Sequence, residues 1–282
     1  MRIHFMIARR VPDVPSPLLA AIYDRLRRRG FDVDATIAEE EVRLLSGIEP
    51  EHDLYVLKSH TELSLSLAGV LHARGARIVN PYPASAVVQN KFIATRLLAD
   101  ADLPTPRTWV MGEASAFDQV LRRRPLVIKP YMGYRGRGVC LVRDVESLTE
   151  SACAQAPVLV QQFIPGPGED LKIYVVGDEA FAVRKQFTAM SYSVPGRPVP
   201  VDEDVREIAL RAGRALGLGI YGLDVIESPD GPVIVDANYF PGYKGVPDAT
   251  ERIADYIEAY ALEEVELVPP LATVGSVALV AG

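Results

Sequence analysis

The chain has 282 residues, of which 49% are hydrophobic and 24% are charged, and its formal net charge is −7. This apolar content is enough for one large domain or for two to three small ones, and the acidic balance argues against a nucleic-acid-binding protein, whose surface is basic. The two cysteines, Cys140 and Cys153, lie in no metal-binding spacing, so we expect neither a zinc site nor a disulfide framework. The apolar stretches are too short or too broken to span a bilayer, which together with the cysteine usage predicts a cytoplasmic protein without a membrane partner.

Predicted strands and helices alternate in the first 83 residues. Strands are predicted in RIHFMIA, FDVDATI, DLYVLK and RIVN, and helices in SPLLAAIYDRLRRRG and SLSLAGVLHARG. Both helices end at a glycine, which readily adopts the left-handed conformation of a helix C-cap. This alternation is typical of βαβ units, so we expect a parallel sheet in an N-terminal domain over residues 1–83.

Residues 84–165 are expected to form a small central domain. A helix is predicted in SAVVQNKFIATRLLADA, and the prolines at 104 and 106 end it and begin an extended linker. Short β-like runs follow in TWVM, PLVIKP, GVCLVRD and VLVQQFI, with a helix in AFDQVLRR. The short connections favour antiparallel pairing of these strands.

Residues 166–265 are expected to form a third domain with an antiparallel sheet, so that the whole chain is α/β with α+β character in its C-terminal part. Strands in DLKIYVVGD and EAFAVRKQF precede a long helix, DEDVREIALRAGRALG, which Asp202 can cap. YGLDVIES and PVIVDANYF then flank an Asp-Gly dipeptide, which is a strong hairpin signal. The tail, residues 266–282, is expected to fray or to pair as a strand.

The predicted hairpin carries three oxygen-bearing side chains. Asp236 and Asn238 are two residues apart on one strand and therefore share a face, and pairing through the Asp-Gly turn brings Asp224 of the other strand close to them. Mg²⁺ prefers a few carboxylates together with substrate phosphates, so this pattern predicts a magnesium site. The alternative is a polar strand end that faces water, although the flanking VIV and LDVI runs indicate buried strands.

A glycine-rich turn and a strand lysine indicate phosphate binding. The turn YMGYRGRGV lies between two predicted strands, and the backbone N–H groups of such a turn can bind phosphates. Its glycines and arginines are Gly133, Gly136, Gly138, Arg135 and Arg137. Lys129 ends a strongly apolar strand, where a lysine needs an anion. The alternatives are an ordinary hairpin turn and a salt bridge at the sheet edge.

The run VLVQQFIPGPGED is interpreted as a hinge in which a strand ends and its backbone can pair with the edge of a planar ligand. The residues assigned to this contact are Gln161, Gln162, Phe163 and Ile164, and Asp170 is assigned to a ribose or substrate contact. The alternative is an ordinary interdomain linker, which the PGPG sequence favours.

In this order the motifs resemble the ATP-grasp superfamily, over roughly residues 1–262. The matching pieces are a helix lysine in QNKF, a strand lysine in VIKP, the glycine loop, the QQFI hinge, the D-x-K strand, an arginine in VRK and the D…D-x-N trio. The resemblance implies an ATP-grasp fold with a small lid domain, in which ATP lies between two β-layers.

The resemblance also implies roles for individual residues. Lys91 and Lys129 would bind the α- and β-phosphates, and the glycine loop would cover the β- and γ-phosphates. The aspartate–asparagine trio of the hairpin would hold one or two Mg²⁺ ions, with Mn²⁺ as an alternative ion. Arg184 would steady the γ-phosphoryl group during its transfer, and Lys172 of the D-x-K strand is assigned to catalysis with it.

Two branches of the superfamily compete. The segment ALRAGRALGLGIYGLDVIESPDGPVIVDAN is similar to RimK-type carboxylate–amine ligases, whereas DLKIYVVGD, VRK and DANYFPGYKG are more similar to the inositol polyphosphate kinases of this fold. RimK-type ligases usually carry Glu at the position of Asp236. The kinases carry Asp there, but they place histidines in the glycine loop, where this chain has arginines.

Both branches begin with the attack of an oxygen on the γ-phosphorus. A carboxylate gives an acylphosphate, which an amine converts to an amide with release of phosphate, whereas a hydroxyl gives a phosphoester. We favour a ligase that acts on a small acid or peptide. The alternatives are a kinase for a hydroxyl of an inositol or polyol phosphate, and a non-catalytic nucleotide-binding relative.

Several cationic side chains and one glycine of a tight turn are expected to bind the acceptor substrate. The assigned residues are Arg9, Arg10, Lys58, Lys172, Lys185, Gly242 and Lys244. Such cations suit carboxylates or phosphates, and the alternative for each is a solvated surface charge. We therefore expect a small-molecule or peptide substrate rather than nucleic acid or membrane. The sequence leaves the oligomeric state open, with a homodimer among the options.

Overall fold

The computed structural model describes residues 1–9, 16–111, 125–132, 138–143, 157–186, 194–268 and 270. Its strands are β1 Arg2–Ile7, β2 Asp32–Ile37, β3 Leu54–Leu57, β4 Ile78–Val79, β5 Thr108–Met111, β6 Leu126–Pro130, β7 Cys140–Val142, β8 Val158–Gln162, β9 Glu169–Val176, β10 Glu179–Gln186, β11 Arg197–Val199, β12 Ile220–Ser228 and β13 Gly231–Tyr239. Its helices are α1 Pro17–Arg28, α2 Glu62–Ala73, α3 Tyr82–Gln89, α4 Lys91–Asp100, α5 Glu203–Leu216 and α6 Ala249–Ala261. The helix predicted in AFDQVLRR lies outside the described residues.

The N-terminal sheet has the strand order β2-β1-β3-β4, and its paired strands are parallel. The two helices that connect these strands begin where a hydroxyl side chain can cap them: Ser16 accepts a hydrogen bond from the Leu19 N–H, and Thr61 accepts one from the Ser64 N–H. The predicted βαβ organisation of this part of the chain is confirmed.

The helix predicted after NPYP is two helices, and Asn90 separates them. Asn90 has an extended backbone (φ −93°, ψ 103°), and its side-chain oxygen accepts hydrogen bonds from the N–H groups of Phe92 and Ile93. An asparagine that bonds to the N–H groups ahead of it favours a helix start over a helix interior. The single-helix prediction is therefore wrong at this point, and Lys91 becomes the first residue of α4.

The C-terminal sheet has the order β11-β10-β9-β12-β13, and its pairs are antiparallel. The hairpin β12–β13 closes through the predicted Asp-Gly turn, where Gly231 has a φ of 113° that favours glycine. The predicted cap of α5 is also present, because the side chain of Asp202 accepts a hydrogen bond from the Asp204 N–H.

Asn80, between β4 and α3, connects the N-terminal sheet to the start of β12. It is fully buried. Its side-chain oxygen accepts hydrogen bonds from the N–H groups of Gly219 and Ile220 at 2.8 and 3.0 Å, and its amide donates to the Ile220 carbonyl at 2.7 Å. One side chain therefore satisfies three backbone groups at the junction of the two sheets.

Ionic contacts attach α6 to the N-terminal part of the chain. The guanidinium of Arg29, after α1, contacts the carboxylates of Glu251, Asp255 and Glu258 at 3.2, 2.5 and 2.6 Å. The guanidinium of Arg77 donates hydrogen bonds to two carbonyls at the end of α6, at 3.0 and 2.5 Å. Together with Asn80, these contacts hold the first sheet against the last.

The central sheet, with the order β5-β8-β6-β7, has a core of its own. Its buried members are Met111, Leu126, Ile128, Val142, Val158 and Val160, and they are separate from the larger core shared by the other two sheets. The boundary predicted at residue 83 falls inside α3, and the boundary predicted at residue 165 falls between β8 and β9. The domain limits themselves stay predictions.

One cysteine and the described helices bear on two expectations drawn from composition. Cys140, on β7, is disulfide-bonded, so the expectation of no disulfide framework does not extend to this cysteine. The other cysteine of the sequence, Cys153, lies outside the described residues. Within the described ranges, every helix is too short or too polar to cross a membrane.

Candidate functional site

The candidate site lies on the β12–β13 hairpin. Asp224 and Asp236 are directly opposite each other in the antiparallel register, and Asn238 lies opposite Gly222. The side chains of Asp224 and Asp236 are 28% and 27% exposed, so they remain accessible to a ligand. Two carboxylates and an amide oxygen are hard donors, and this set fits Mg²⁺.

Lysines from separate elements contact the two carboxylates. Lys91, at the start of α4, forms a salt bridge with Asp236. Lys172, on β9, lies 2.7 Å from Asp224 and 3.5 Å from Asp170. The side chains of Lys91 and Lys172 are only 13% and 15% exposed, so each ammonium is held mainly by these carboxylates.

A β-bulge brings a third lysine to the same place. Asp224 pairs with Asp236 but Val225 pairs with Ile234, which leaves Val235 without a partner on β12. The carbonyl of Val235 accepts a hydrogen bond from the Lys129 ammonium at 2.9 Å. Bulges of this kind often lie beside active sites because they redirect backbone groups, and here the redirected carbonyl connects the central sheet to the hairpin.

Burial and neighbouring charges shift the pKa values in opposite directions. Burial acts to raise the pKa of Asp236, but the ammonium groups of Lys91 and Lys129 outweigh it, so this pKa lies below its usual range. Burial lowers the pKa of Lys129, and the Asp236 carboxylate offsets only part of that effect. The site therefore contains an ionised carboxylate beside a lysine that a further anion would stabilise.

The carboxylate of Asp170 is only partly compensated by positive charge. Burial and the neighbouring Asp224 carboxylate raise its pKa to about 6, although Lys172 acts in the opposite direction. Lys172 lies closer to Asp224 than to Asp170, so its positive charge compensates the Asp224 carboxylate more than the Asp170 carboxylate.

We expect the contribution of Asp170 to the free energy of unfolding to decrease as the pH rises from about 4 to about 6, because folded Asp170 keeps its proton over this interval while the unfolded chain releases it. The stabilising contribution of this raised pKa is complete below the ordinary value of 3.8 and is lost as the pH passes about 6. Asp170→Asn should therefore be close to wild type at pH 4 and more stable at pH 7, by up to about 3 kcal/mol. Urea unfolding at several pH values tests this, and parallel pH profiles for variant and wild type would contradict it.

The loop after β3 packs against the end of β13. The Lys58 ammonium donates to the Phe240 carbonyl at 2.7 Å, and the Tyr239 hydroxyl donates to the Ser59 carbonyl at 2.8 Å. The His60 ring stacks on the Tyr239 ring with centroids 4.1 Å apart. Sequence reasoning assigned Lys58 to the acceptor and did not single out His60, which follows the same buried strand in KSHT.

A further assigned lysine lies near the carboxylates, and the charge of another acts on it. Lys185 is directly opposite Asp170 in the β9–β10 register and is only 7% exposed. Burial, together with the charges of Lys172 and Lys244, lowers its pKa. This part of the site is therefore rich in positive charge and suits an anionic group.

The turn after β13 needs glycine at one position. Gly245 has a φ of 95°, and a Cβ there would lie 2.3 Å from the Gly196 carbonyl oxygen. A Cβ at Gly242 would meet only the Lys244 side chain, at 3.9 Å. The backbone at Gly245 therefore lies so close to the backbone of residue 196 that only glycine fits there. Gly242 has no such close backbone neighbour among the described residues.

Arg184 is not brought to the site. It is opposite Leu171 in the β9–β10 register, whereas its neighbour Lys185 is opposite Asp170, and successive strand residues point to opposite faces. Arg184 instead binds both carboxylate oxygens of Glu227, one of them at 2.8 Å. The structure therefore places Lys185, and not Arg184, on the face that carries Asp224.

Arg9 also has a different partner from the one expected. Its Nε donates to Glu40 at 2.9 Å, and its side chain is 60% exposed. Other assigned residues lie outside the described residues and are untested by the structure: Arg10, Gly133, Arg135, Gly136 and Arg137. Gly138, the last residue of the glycine-rich turn, is described and has a φ of 72°.

Two backbone N–H groups of the predicted hinge are already hydrogen-bonded within the protein. The Gln162 N–H donates to the Arg107 carbonyl at 2.9 Å, and the Phe163 N–H donates to the Pro125 carbonyl at 3.1 Å. Gln161 is buried, and its amide donates to the Thr108 hydroxyl at 3.3 Å. The N–H groups of residues 162 and 163 therefore belong to the central sheet, and Ile164 follows them.

Comparison with known proteins supports an enzyme of one family. Residues 88–258, more than half of the chain, match the model of the RimK-like ATP-grasp domain. A probable alpha-L-glutamate ligase of Shewanella loihica is 28% identical over 252 residues, which cover 81% of this chain and 84% of the relative. The alpha-aminoadipate–LysW ligase LysX of Saccharolobus solfataricus is 27% identical over 261 residues, which cover 84% of this chain and 93% of the relative.

A solved structure shares the fold. The ATP-grasp ligase PsnB, in complex with a phosphomimetic variant of its minimal precursor, Mg and ADP, superimposes with a TM-score of 0.66 at 19% identity. The alignment covers 92% of this chain and 97% of PsnB. The resemblance and the fold class predicted from the motifs are confirmed, and the chain belongs to the RimK-like ATP-grasp family of ADP-forming ligases.

Proposed function

We propose that this protein is an ATP- and Mg²⁺-dependent carboxylate–amine ligase that acts through an acylphosphate. The observation that supports this most directly is the pair Asp224 and Asp236, which lie opposite each other and are held by lysines from α4 and β9. Both curated relatives are named as ligases, and each name contains an acidic amino acid. This favours the ligase over the kinase alternative.

The proposed reaction has two steps. An oxygen of the acceptor carboxylate attacks the γ-phosphorus, the bond to the β-phosphate oxygen breaks, and ADP leaves. The nitrogen of the amine then attacks the acyl carbon, the bond to the phosphate oxygen breaks, and the nitrogen loses a proton as the amide forms. The protein has to align these groups and neutralise the charge that moves between them.

The residues of the site are suited to that task. Lys91 and Lys129 would bind the triphosphate, because each ammonium is largely shielded from water and lies beside the hairpin. Asp224, Asp236 and Asn238 would hold Mg²⁺, which when bound neutralises charge on the phosphoryl group. Lys185 and Lys244 would orient an acceptor carboxylate, since Lys185 lies opposite Asp170 and the charge of Lys244 acts on Lys185.

A product assay tests the proposal. The protein is incubated with Mg-ATP and pools of acids and amines, and ADP, phosphate and amide are measured. ADP release that requires both an acid and an amine is the expected result. ADP release with a polyol phosphate alone, together with a new phosphoester, would establish the kinase alternative. Absence of ADP with every acceptor would favour a non-catalytic relative.

We expect Asn90→Ala to lower the free energy of unfolding by about 1 kcal/mol, because it removes the N-cap of α4. Asp202→Ala removes the same kind of cap from α5 and is the matched control. Both variants should lose similar stability in urea unfolding, but only Asn90→Ala should raise the KM for ATP, because Lys91 follows Asn90 directly. Equal KM values for the two variants would show that this cap does not position Lys91.

A further inference from the structure

A second group of candidate ligands lies in the N-terminal sheet, and none of its members belongs to the hairpin site. His4 is on β1, Asp34 is opposite it on β2, and His52 lies just before β3. Because β1 is paired with both β2 and β3, the fold brings three distant parts of the sequence together.

The donor atoms of these residues point at one another. The Asp34 carboxylate lies 2.5 Å from Nδ1 of His4 and 2.9 Å from Nε2 of His52, through different oxygens. One donor atom from each residue lies within 4.8 Å of the others. Two donors that each sit about 2.1 Å from a tetrahedral ion are about 3.4 Å apart, so only small side-chain movements separate this arrangement from a coordination shell.

The surroundings suit a metal-binding imidazole. His4 is 6% exposed, and its second nitrogen, Nε2, lies 2.9 Å from the Thr36 hydroxyl. Histidine ligands commonly donate their other N–H to such a partner, which fixes the ring orientation.

Nδ1 of His52 is buried and has no hydrogen-bond partner in the described part of the chain. It is the ring nitrogen that does not face Asp34, so a metal bound through Nε2 would leave it to pair with a water molecule. The guanidinium of Arg2 lies 3.5 Å from Nε2 of His52 and donates to the Glu51 carbonyl at 2.8 Å, so a bound cation would have to displace this exposed side chain.

We propose that His4, Asp34 and His52 form a binding site for a divalent transition metal of the Zn²⁺ class. Two imidazoles and one carboxylate are a common ligand set for zinc. A water molecule would complete the shell. Bound metal would connect β1, β2 and the segment before β3, and it would stabilise the N-terminal sheet by binding to the folded state alone.

The test uses the full-length protein, dialysed against a chelator and titrated with ZnCl₂ in excess MgCl₂. Magnesium in excess occupies the hard oxygen donors of the hairpin. Wild type should take up one equivalent of zinc, measured by atomic spectroscopy, and its thermal unfolding midpoint should rise. His72→Gln, which changes an exposed histidine at the end of α2, is the matched control and should behave like wild type.

Asp34→Asn and His52→Ala should lose the zinc equivalent and the rise in midpoint. Thr36→Val should bind zinc about 10- to 100-fold more weakly, because it removes only the hydrogen bond that orients His4. Asp34 is 55% exposed and Asp34→Asn preserves the shape of the side chain, so this variant should fold and retain ligase activity. Zinc uptake by Asp34→Asn and His52→Ala equal to that of wild type, or no uptake by wild type, would overturn the proposal.

Discussion

Asp236→Asn is expected to reduce kcat by about 10³-fold, which corresponds to about 4 kcal/mol of transition-state stabilisation. The substitution keeps the shape of the side chain but removes the charge that faces Asp224 across the hairpin and contacts Lys91. With one carboxylate fewer, the hairpin should hold Mg²⁺ more weakly. Initial rates of ADP release over a range of Mg²⁺ concentrations measure both effects.

The control for this prediction is Asp230→Asn, which makes the same chemical change in the exposed turn of the same hairpin. It should retain wild-type turnover. Circular dichroism and the unfolding midpoint should show that Asp236→Asn is folded. Turnover of Asp236→Asn within a few-fold of wild type would show that the hairpin is not part of the catalytic site.

Asn80→Ala is expected to lower the free energy of unfolding by about 3 kcal/mol. The substitution removes three hydrogen bonds at a fully buried position and leaves the N–H groups of Gly219 and Ile220 without their side-chain acceptor. An unsatisfied buried polar group destabilises by about 1–3 kcal/mol. The unfolding midpoint should fall by about 6–12 °C, which differential scanning calorimetry can measure.

Ser85→Ala is a suitable control for Asn80→Ala. Ser85 is also fully buried, and its hydroxyl donates one long hydrogen bond, of 3.4 Å, to the Asn80 carbonyl. Its loss should destabilise by less than about 1 kcal/mol. If the two variants were equally stable, the Asn80 side chain would not be the main connection between the two sheets.

The pairing that brings the hairpin carboxylates together could be predicted because local signals define it. The Asp-Gly turn fixes how the two strands pair, and strand periodicity then places Asp224 near Asp236 and Asn238. The N-terminal sheet was predicted for a similar reason, since the alternation of strands with glycine-ended helices is visible in the sequence.

The face of a residue on an isolated strand could not be predicted in the same way. Arg184 and Lys185 are neighbours, so one of them must point away from the site, but VRK alone does not show which. Only the pairing of β10 with β9 decides it, and this pairing placed Lys185 beside Asp170.

Contacts between distant segments could not be predicted from the sequence either. Asn90 reads as part of a continuous helical run, and its capping role becomes visible only when the chain turns there. His4, Asp34 and His52 follow no metal-binding spacing, because parallel strand pairing joins segments whose separation in sequence is not fixed. The expectation of no zinc site rested on cysteine spacing and did not address such a cluster.

The salt bridge between Lys91 and Asp236 has a consequence for the order in which ligands arrive. A lone magnesium ion has to displace an ammonium from Asp236, and a nucleotide without metal has to detach Lys91 from its carboxylate. If Asp236 holds the metal and Lys91 the phosphates, as proposed, then joint binding gives the carboxylate to the metal and the ammonium to the phosphates, so neither charge is left without a counter-charge. Thermodynamic reciprocity then requires that each ligand increase the affinity for the other by the same factor.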